Sequence, residues 1–168
     1  MPVSIVPFTV NVPEHDLHAL EIRLSLTRFP EAETVADWRQ GTPLVFVHEL
    51  VDYWRSGYDW RRCEAELNRW PQFRAKIDGL DIHFLHVRSP RQDAKPLIIT
   101  HGWPGSVLEF LDIMGPLTDP DAYGLPGAEA FHLVLPSLPG FGFSGKPASS
   151  GWSVEKTADA WAKLMRAL

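Results

Sequence analysis

The heptapeptide Thr100-His101-Gly102-Trp103-Pro104-Gly105-Ser106 links two segments of different character. Before it, Pro96–Thr100 is a short continuous apolar run, which is typical of a strand buried on both faces. After it, Ser106 and Glu109 have the spacing of a capping box and predict a helix start, and Gly115-Pro116 is expected to end that helix. The heptapeptide therefore predicts a sharp strand-to-helix turn with a crevice at the carboxyl end of the strand.

The flanking sequence predicts an α/β fold. A second apolar run, Phe131–Leu135, indicates another buried strand, so the helix between the two runs completes a parallel βαβ unit. Upstream, alternating apolar residues on both sides of Asp78-Gly79 predict a β-hairpin. Ser153 is expected to cap a last helix, whose predicted apolar stripe is Val154, Ala158, Trp161, Met165 and Leu168. The prediction is an incomplete α/β sheet, formed by the hairpin plus the βαβ unit.

The first third of the chain predicts three short helices. Leucines at helical spacing run from Pro13 towards Pro30, a second apolar stripe follows Thr42-Pro43, and Asp59 is expected to cap the third helix. We therefore predict that residues 1–95 form a helical, Trp-rich wrapping segment with the first hairpin. Residues 96–168 are predicted to form the first part of the core.

Composition excludes several classes of function. The formal charge of −5, from 16 Lys and Arg against 21 Asp and Glu, argues against a nucleic-acid partner, which requires clustered positive charge. The single cysteine, Cys63, excludes an internal disulfide and a multi-cysteine metal site. Neither a long apolar run nor a signal-peptide pattern is present, so the sequence predicts a cytoplasmic protein without a membrane partner.

Two patterns imitate functional motifs. Gly140–Gly145 fits the G-x-G-x-x-G pattern of nucleotide-binding loops, but Lys146-Pro147 follow where a helix would have to begin. We interpret this stretch as a tight turn after a strand. His83 and His86 lie three residues apart on a predicted strand and so point to opposite faces, and no metal site is predicted.

Trp103 is the candidate functional residue of the heptapeptide. Pro104 fixes the backbone behind it, so that the Trp103 amide can point into the crevice at the strand end. A preorganised amide at that place is one half of an oxyanion hole. These residues alone leave a second interpretation open, in which the segment is only a turn that buries a tryptophan.

Several motifs resemble those of epoxide hydrolases of the microsomal-like branch of the α/β-hydrolase superfamily. They are Leu26–Pro30, Tyr58–Arg61, Leu67-Asn68 with Pro71–Phe73, Ile77–Phe84, His101–Ser106 and Pro136–Ser144. The resemblance implies hydrolysis of a small-molecule epoxide to a diol through an aspartyl ester, with no cofactor and no metal. Such an enzyme would act in detoxification.

The resemblance also implies roles for individual residues. The Trp103 amide would be an oxyanion-hole donor, and its neighbours His101, Gly102 and Pro104 would support the motif. The pocket wall would include Phe141 and Phe143. The catalytic residues themselves, which are the nucleophile, the lid tyrosines, the orienting carboxylate and the base histidine, are expected beyond Leu168. The chain is therefore predicted to be inactive alone.

Two other functions stay open at this point. The chain could be a non-catalytic interaction module that docks through an open sheet edge, and such an edge also predicts self-association. Alternatively, it could belong to another α/β hydrolase such as a haloalkane dehalogenase, because the His-Gly-x-Pro pattern is shared with that family.

Overall fold

The structure is a computed structural model that describes residues 3–168. Its strands are β1 (Ile5–Phe8), β2 (Gln72–Ile77), β3 (Leu80–Val87), β4 (Lys95–Ile98) and β5 (Phe131–Pro136). Its α-helices are α1 (Glu14–Ser25), α2 (Leu44–Ser56), α3 (Trp60–Leu67), α4 (Leu111–Thr118) and α5 (Val154–Ala167). Among residues 3–168, every helix is too short or too polar to span a bilayer.

The five strands form one sheet in the order β1-β2-β3-β5-β4. Only β4 and β5 are parallel, which confirms the predicted βαβ unit, and β2 and β3 form the predicted hairpin. The hairpin turn places both Asp78 (φ 50°) and Gly79 (φ 86°) in the left-handed region, as a two-residue type I′ turn requires. Strand β1, a four-residue edge strand, was not predicted from the sequence; its Pro7 is tolerated because an edge strand leaves N–H groups unpaired.

The chain divides into two compact units, one of residues up to Val10 with Ala65–Leu168 and one of Asn11–Glu64. The predicted boundary after residue 95 falls inside the first unit, because the hairpin strands pair into the same sheet as β4 and β5. In the second unit, α1 ends at Ser25, before Pro30 is reached. Asp59 is placed as predicted, since its Oδ1 accepts the Arg61 N–H at 2.9 Å at the start of α3.

Helix α5 covers one face of the sheet, but the predicted apolar stripe is only partly correct. Trp161 is buried, together with Ala160 and Leu164, against strand residues such as Ile82 and Phe84. In contrast, three of the predicted stripe residues are exposed: Val154, Ala158 and Leu168. The contact with the sheet determines which face of the helix is buried. Periodicity alone did not determine that face to within about one residue.

Two further expectations about the βαβ unit were wrong. Strand β4 lies at an edge of the sheet and is half-exposed instead of buried on both faces. Gly115 and Pro116 lie inside α4 and do not end it. A Cβ at Gly115 would lie 2.1 Å from the Tyr123 hydroxyl oxygen, so this glycine permits a close approach of Tyr123.

Candidate oxyanion-hole segment

The segment after β4 leaves the sheet through a tight turn. Ile99 continues the strand pairing, with its N–H on the Val134 carbonyl at 3.1 Å. The Gly105 N–H then donates to the Gly102 carbonyl at 2.8 Å. This bond closes a turn around Trp103-Pro104, whose peptide bond is cis.

The predicted capping box is present directly behind this turn. The Leu108 N–H donates to Ser106 Oγ at 3.3 Å, and Glu109 Oε1 accepts the Ser106 N–H at 3.1 Å. A single 3-10 turn, Val107–Phe110, precedes α4. The box anchors the turn from its helix side, because it satisfies backbone donors that would otherwise have no partner.

His101 fixes the turn from its other side. Its ring is buried, with 3 % exposure, and its Nε2 accepts the Leu138 N–H at 3.1 Å. Since Nε2 is an acceptor in that bond, the neutral ring carries its proton on Nδ1. Nδ1 therefore donates to the Gly102 carbonyl, 3.1 Å away.

The orientation of the Trp103 amide follows from these bonds. The Gly102 carbonyl accepts both the His101 Nδ1–H and the Gly105 N–H, so its direction is fixed. In a trans peptide the carbonyl and the following N–H point in opposite directions, which turns the Trp103 N–H away from both donors. Among residues 3–168 this N–H has no acceptor, and it precedes the first helical turn. The Trp103 ring is 82 % exposed, which contradicts the alternative of a turn that buries a tryptophan.

The two predicted wall residues lie in different places. Phe141 packs edge-on against His101, with ring centroids 5.8 Å apart, and lines a largely apolar depression of about 460 Å³ next to Trp161 and Thr100. Phe143 does not line this depression. Its ring centroid lies 5.6 Å from that of Phe8 and 5.3 Å from that of His83.

The glycine-rich stretch is a closed turn. The Gly140 N–H donates to the Gly145 carbonyl at 2.9 Å, and the next helix begins only at Val154. A dinucleotide or phosphate loop requires a helix N-terminus directly behind its glycines.

Among the described residues, no group of three His, Cys, Asp or Glu side chains is arranged to hold a metal ion.

One polar cluster was missed by the sequence analysis. Ser137 Oγ lies 2.9 Å from His83 Nδ1, and His83 Nε2 lies 2.9 Å from Gln72 Oε1. All three residues are buried. Burial, with a smaller effect of the nearby Arg74 charge, lowers the pKa of His83 to about 3, so the ring is neutral. No motif could have revealed this cluster, because Gln72 lies on β2, His83 on β3 and Ser137 directly after β5.

The five-stranded sheet, with its parallel β4–β5 pair, has the architecture of an α/β-hydrolase core. Solved structures agree: an Aspergillus niger epoxide hydrolase has a TM-score of 0.85 and 37% identity, covering 98% of this chain and 43% of that one. For the Bombyx mori juvenile hormone epoxide hydrolase the TM-score is 0.84 at 30% identity, with 98% and 44% coverage. Residues 5–110 match the family described as Epoxide hydrolase N terminus, and the chain belongs to that family.

Curated relatives agree with this family. A putative epoxide hydrolase of Stigmatella aurantiaca is 56% identical over 165 residues, which cover 98% of this chain and 38% of the relative. Epoxide hydrolase 1 of Sus scrofa is 37% identical, covering 96% of this chain and 37% of the relative. The chain therefore spans less than two fifths of the length of these two proteins.

Proposed function

We propose that this chain supplies the N-terminal part of an epoxide hydrolase, including one oxyanion-hole donor, the Trp103 N–H. The observation that carries the proposal is the fixed Gly102–Trp103 peptide, whose N–H has no acceptor among residues 3–168. The nucleophilic aspartate, the lid tyrosines, the orienting carboxylate and the base histidine would come from polypeptide outside residues 1–168. Family membership and the similarity to solved epoxide hydrolases support this assignment.

The proposed reaction has two covalent steps. An aspartate oxygen attacks an epoxide carbon, the carbon–oxygen bond of the ring breaks, and a lid tyrosine donates its proton to the departing oxygen. Water, deprotonated by the histidine, then adds to the ester carbonyl to form a tetrahedral oxyanion. As this oxyanion collapses, the histidinium gives its proton to the departing diol oxygen, and the aspartic acid that is formed returns its proton to the tyrosinate. The Trp103 N–H would donate to that oxyanion, so its contribution belongs to the second step.

A chimeric chain tests the proposal. Residues 1–168 would replace the matching segment of the Stigmatella relative, and ester formation and ester hydrolysis would be followed separately in single-turnover experiments. Trp103→Pro removes the amide hydrogen, and we expect it to slow ester hydrolysis by about 10²–10³-fold while ester formation changes much less. Trp103→Ala is the matched control, because it removes the ring but keeps the amide.

Equal slowing of both steps by Trp103→Pro, or unchanged hydrolysis, would contradict the oxyanion role. Residues 1–168 alone should release no diol from a small-molecule epoxide such as styrene oxide. If this chain alone turned over the epoxide and lost that activity on Trp103→Pro, the catalytic groups would lie within residues 1–168. That result would overturn the proposal that they come from polypeptide outside these residues.

A second candidate function rests on the sheet edge. Strand β4 is an edge strand whose Leu97 and Ile98 are only half-buried, and such an edge can pair with another chain. Self-association or a role as an interaction module would give a concentration-dependent mass in sedimentation experiments. Substituting Leu97→Lys should then abolish that dependence, whereas a monomeric wild type would remove this candidate.

A further inference from the structure

We propose that His83 is a positioning residue for the Trp103 amide, acting through Ser137 and Leu138. The inference rests on the proposed function, since it concerns the same oxyanion donor. His83 lies on β3 and is fully buried, so it can act on the amide only through other residues.

Ser137, the first residue after β5, is held at three polar atoms. Its N–H donates to the His83 carbonyl at 2.9 Å, and its Oγ lies 2.9 Å from His83 Nδ1. Its carbonyl accepts the Ser144 hydroxyl at 2.8 Å, and Ser144 Oγ accepts the His83 N–H at 3.0 Å. His83 therefore holds Ser137 both directly and through Ser144.

The proton positions in this cluster follow from Gln72. Gln72 Nε2 donates to the Leu67 carbonyl at 3.0 Å, which leaves its Oε1 as the acceptor that faces His83 Nε2. His83 Nε2 therefore carries the ring proton, and Nδ1 accepts the Ser137 hydroxyl. Every ring nitrogen and hydroxyl in the cluster has a hydrogen-bond partner.

The peptide between Ser137 and Leu138 connects the His83 cluster to the candidate site. Its carbonyl belongs to Ser137 and is held by Ser144, while its N–H belongs to Leu138 and donates to His101 Nε2 at 3.1 Å. Because a peptide is planar, fixing the Ser137 carbonyl also fixes the direction of the Leu138 N–H. The direction of that N–H in turn determines where the His101 ring is held.

His101 also holds a second peptide plane, the one between Gly102 and Trp103. Its Nδ1–H donates to the Gly102 carbonyl, and the opposite edge of the same peptide is the Trp103 N–H. The path from β3 to the proposed oxyanion donor therefore consists of two peptide planes, with the His101 ring hydrogen-bonded between them. Loss of the Ser137 hydroxyl bond should therefore disturb His101 and Trp103 before it disturbs the sheet.

The 168-residue chain itself tests this inference by NMR. Ser137→Ala removes the hydroxyl but keeps the backbone bond to β3. We expect it to shift the His101 ring ¹⁵N signals and the Trp103 amide signal, and to speed hydrogen exchange of the Leu138 amide by about tenfold. His83→Asn, which offers an amide oxygen near the Nδ1 position, should retain most of the wild-type signals.

Thr118→Val is the matched control. It also removes a buried hydroxyl, one that donates to the Met114 carbonyl at 2.7 Å in the same compact unit. It should lower stability by a similar amount and leave the His101 and Trp103 signals unchanged. If Ser137→Ala does not fold, Ser144→Ala provides a second variant, since it releases the Ser137 carbonyl.

Wild-type His101 and Trp103 signals in folded Ser137→Ala would overturn the inference, whatever the enzymology shows. Equal shifts in Thr118→Val would also overturn it, because the effect would then be general destabilisation. A different result would contradict the proposed function but not this inference. If the signals shift as expected while Trp103→Pro leaves ester hydrolysis in the chimera unchanged, His83 still positions the amide, but the amide has no oxyanion role.

Discussion

The indole N–H of Trp161 donates a 3.0 Å hydrogen bond to Thr100 Oγ1, which joins the last helix to the segment just after β4. The Trp161 ring is otherwise buried against the sheet core. This contact fixes α5 at the point where the chain leaves the sheet towards the Trp103 turn.

Trp161→Phe should lower the free energy of unfolding by about 1–2 kcal/mol, because it removes this bond and part of a buried ring. Urea denaturation at neutral pH measures the change. The control is the same substitution at an exposed tryptophan, Trp103→Phe, for which we expect a change below about 0.5 kcal/mol. Equal losses at both positions would argue against the Thr100 contact.

Asp78 links the hairpin turn to α5. Its carboxylate contacts Lys156 and lies 2.6 Å from Lys163 Nζ, and these two lysines hold its pKa below the ordinary value of 3.8. The stabilisation is therefore present at neutral pH and is lost as the pH falls below about 4. The lysines are about 40 % exposed, so screening by solvent limits each pair to less than about 1 kcal/mol.

Asp78→Asn should cause a small loss of stability that shrinks in 1 M salt, since salt screens the ion pairs of the wild type. Asparagine tolerates the left-handed backbone of this turn, so the hairpin itself is kept. Thermal unfolding at low and high salt provides the measurement. Glu66→Gln, at an exposed pair with Arg69, serves as the control and should change little at either salt concentration.

His83 should make the protein sensitive to mild acid. Its pKa is lowered from 6.5 to about 3 in the folded chain, whereas the unfolded chain binds a proton near pH 6.5. The free energy of unfolding therefore falls as the pH drops from about 6.5 towards 3, by up to about 1.4 kcal/mol per pH unit from this group.

In His83→Asn this contribution should disappear, which flattens stability between pH 6.5 and 5. Burial also lowers the pKa of His86, so a smaller slope should persist in the variant. His15→Asn, at a side chain that is 81 % exposed, should retain the full slope. Parallel curves for His83→Asn and the wild type would mean that His83 is not neutral in the folded chain.

The two glycines of the turn should differ in their tolerance of a side chain. A Cβ at Gly105 would lie 1.6 Å from Glu109 Oε1 and 3.0 Å from the Gly102 carbonyl, whereas a Cβ at Gly102 would have no atom within 4 Å. Gly105→Ala should displace Glu109 and cost about 1 kcal/mol through the lost capping box. Gly102→Ala should leave the unfolding midpoint unchanged or slightly higher, and a larger loss at Gly102 would contradict this geometry.

Local signals predicted the local parts of this structure. The Asp78-Gly79 turn and the Ser106–Glu109 capping box form as expected, because each depends on residues within a few positions of one another. The sharp turn at Trp103 was also predicted from sequence, since the residues that bend it are contiguous. The edge position of β4 and the buried face of α5 were not predictable, because both depend on which strands become neighbours.

By itself, the sequence determined the α-helices, the strands other than β1, the turn chemistry and the heptapeptide that carries the candidate donor. Only the tertiary structure brought His83 from β3, Ser137 from the end of β5 and His101 from the end of β4 into one hydrogen-bonded chain. The physical reason is the sequence separation between the residues that make each contact. Turns and caps are stabilised by bonds between near neighbours, whereas the direction of the Trp103 N–H depends on contacts between segments 37 and 54 residues apart, which form only when the sheet is assembled.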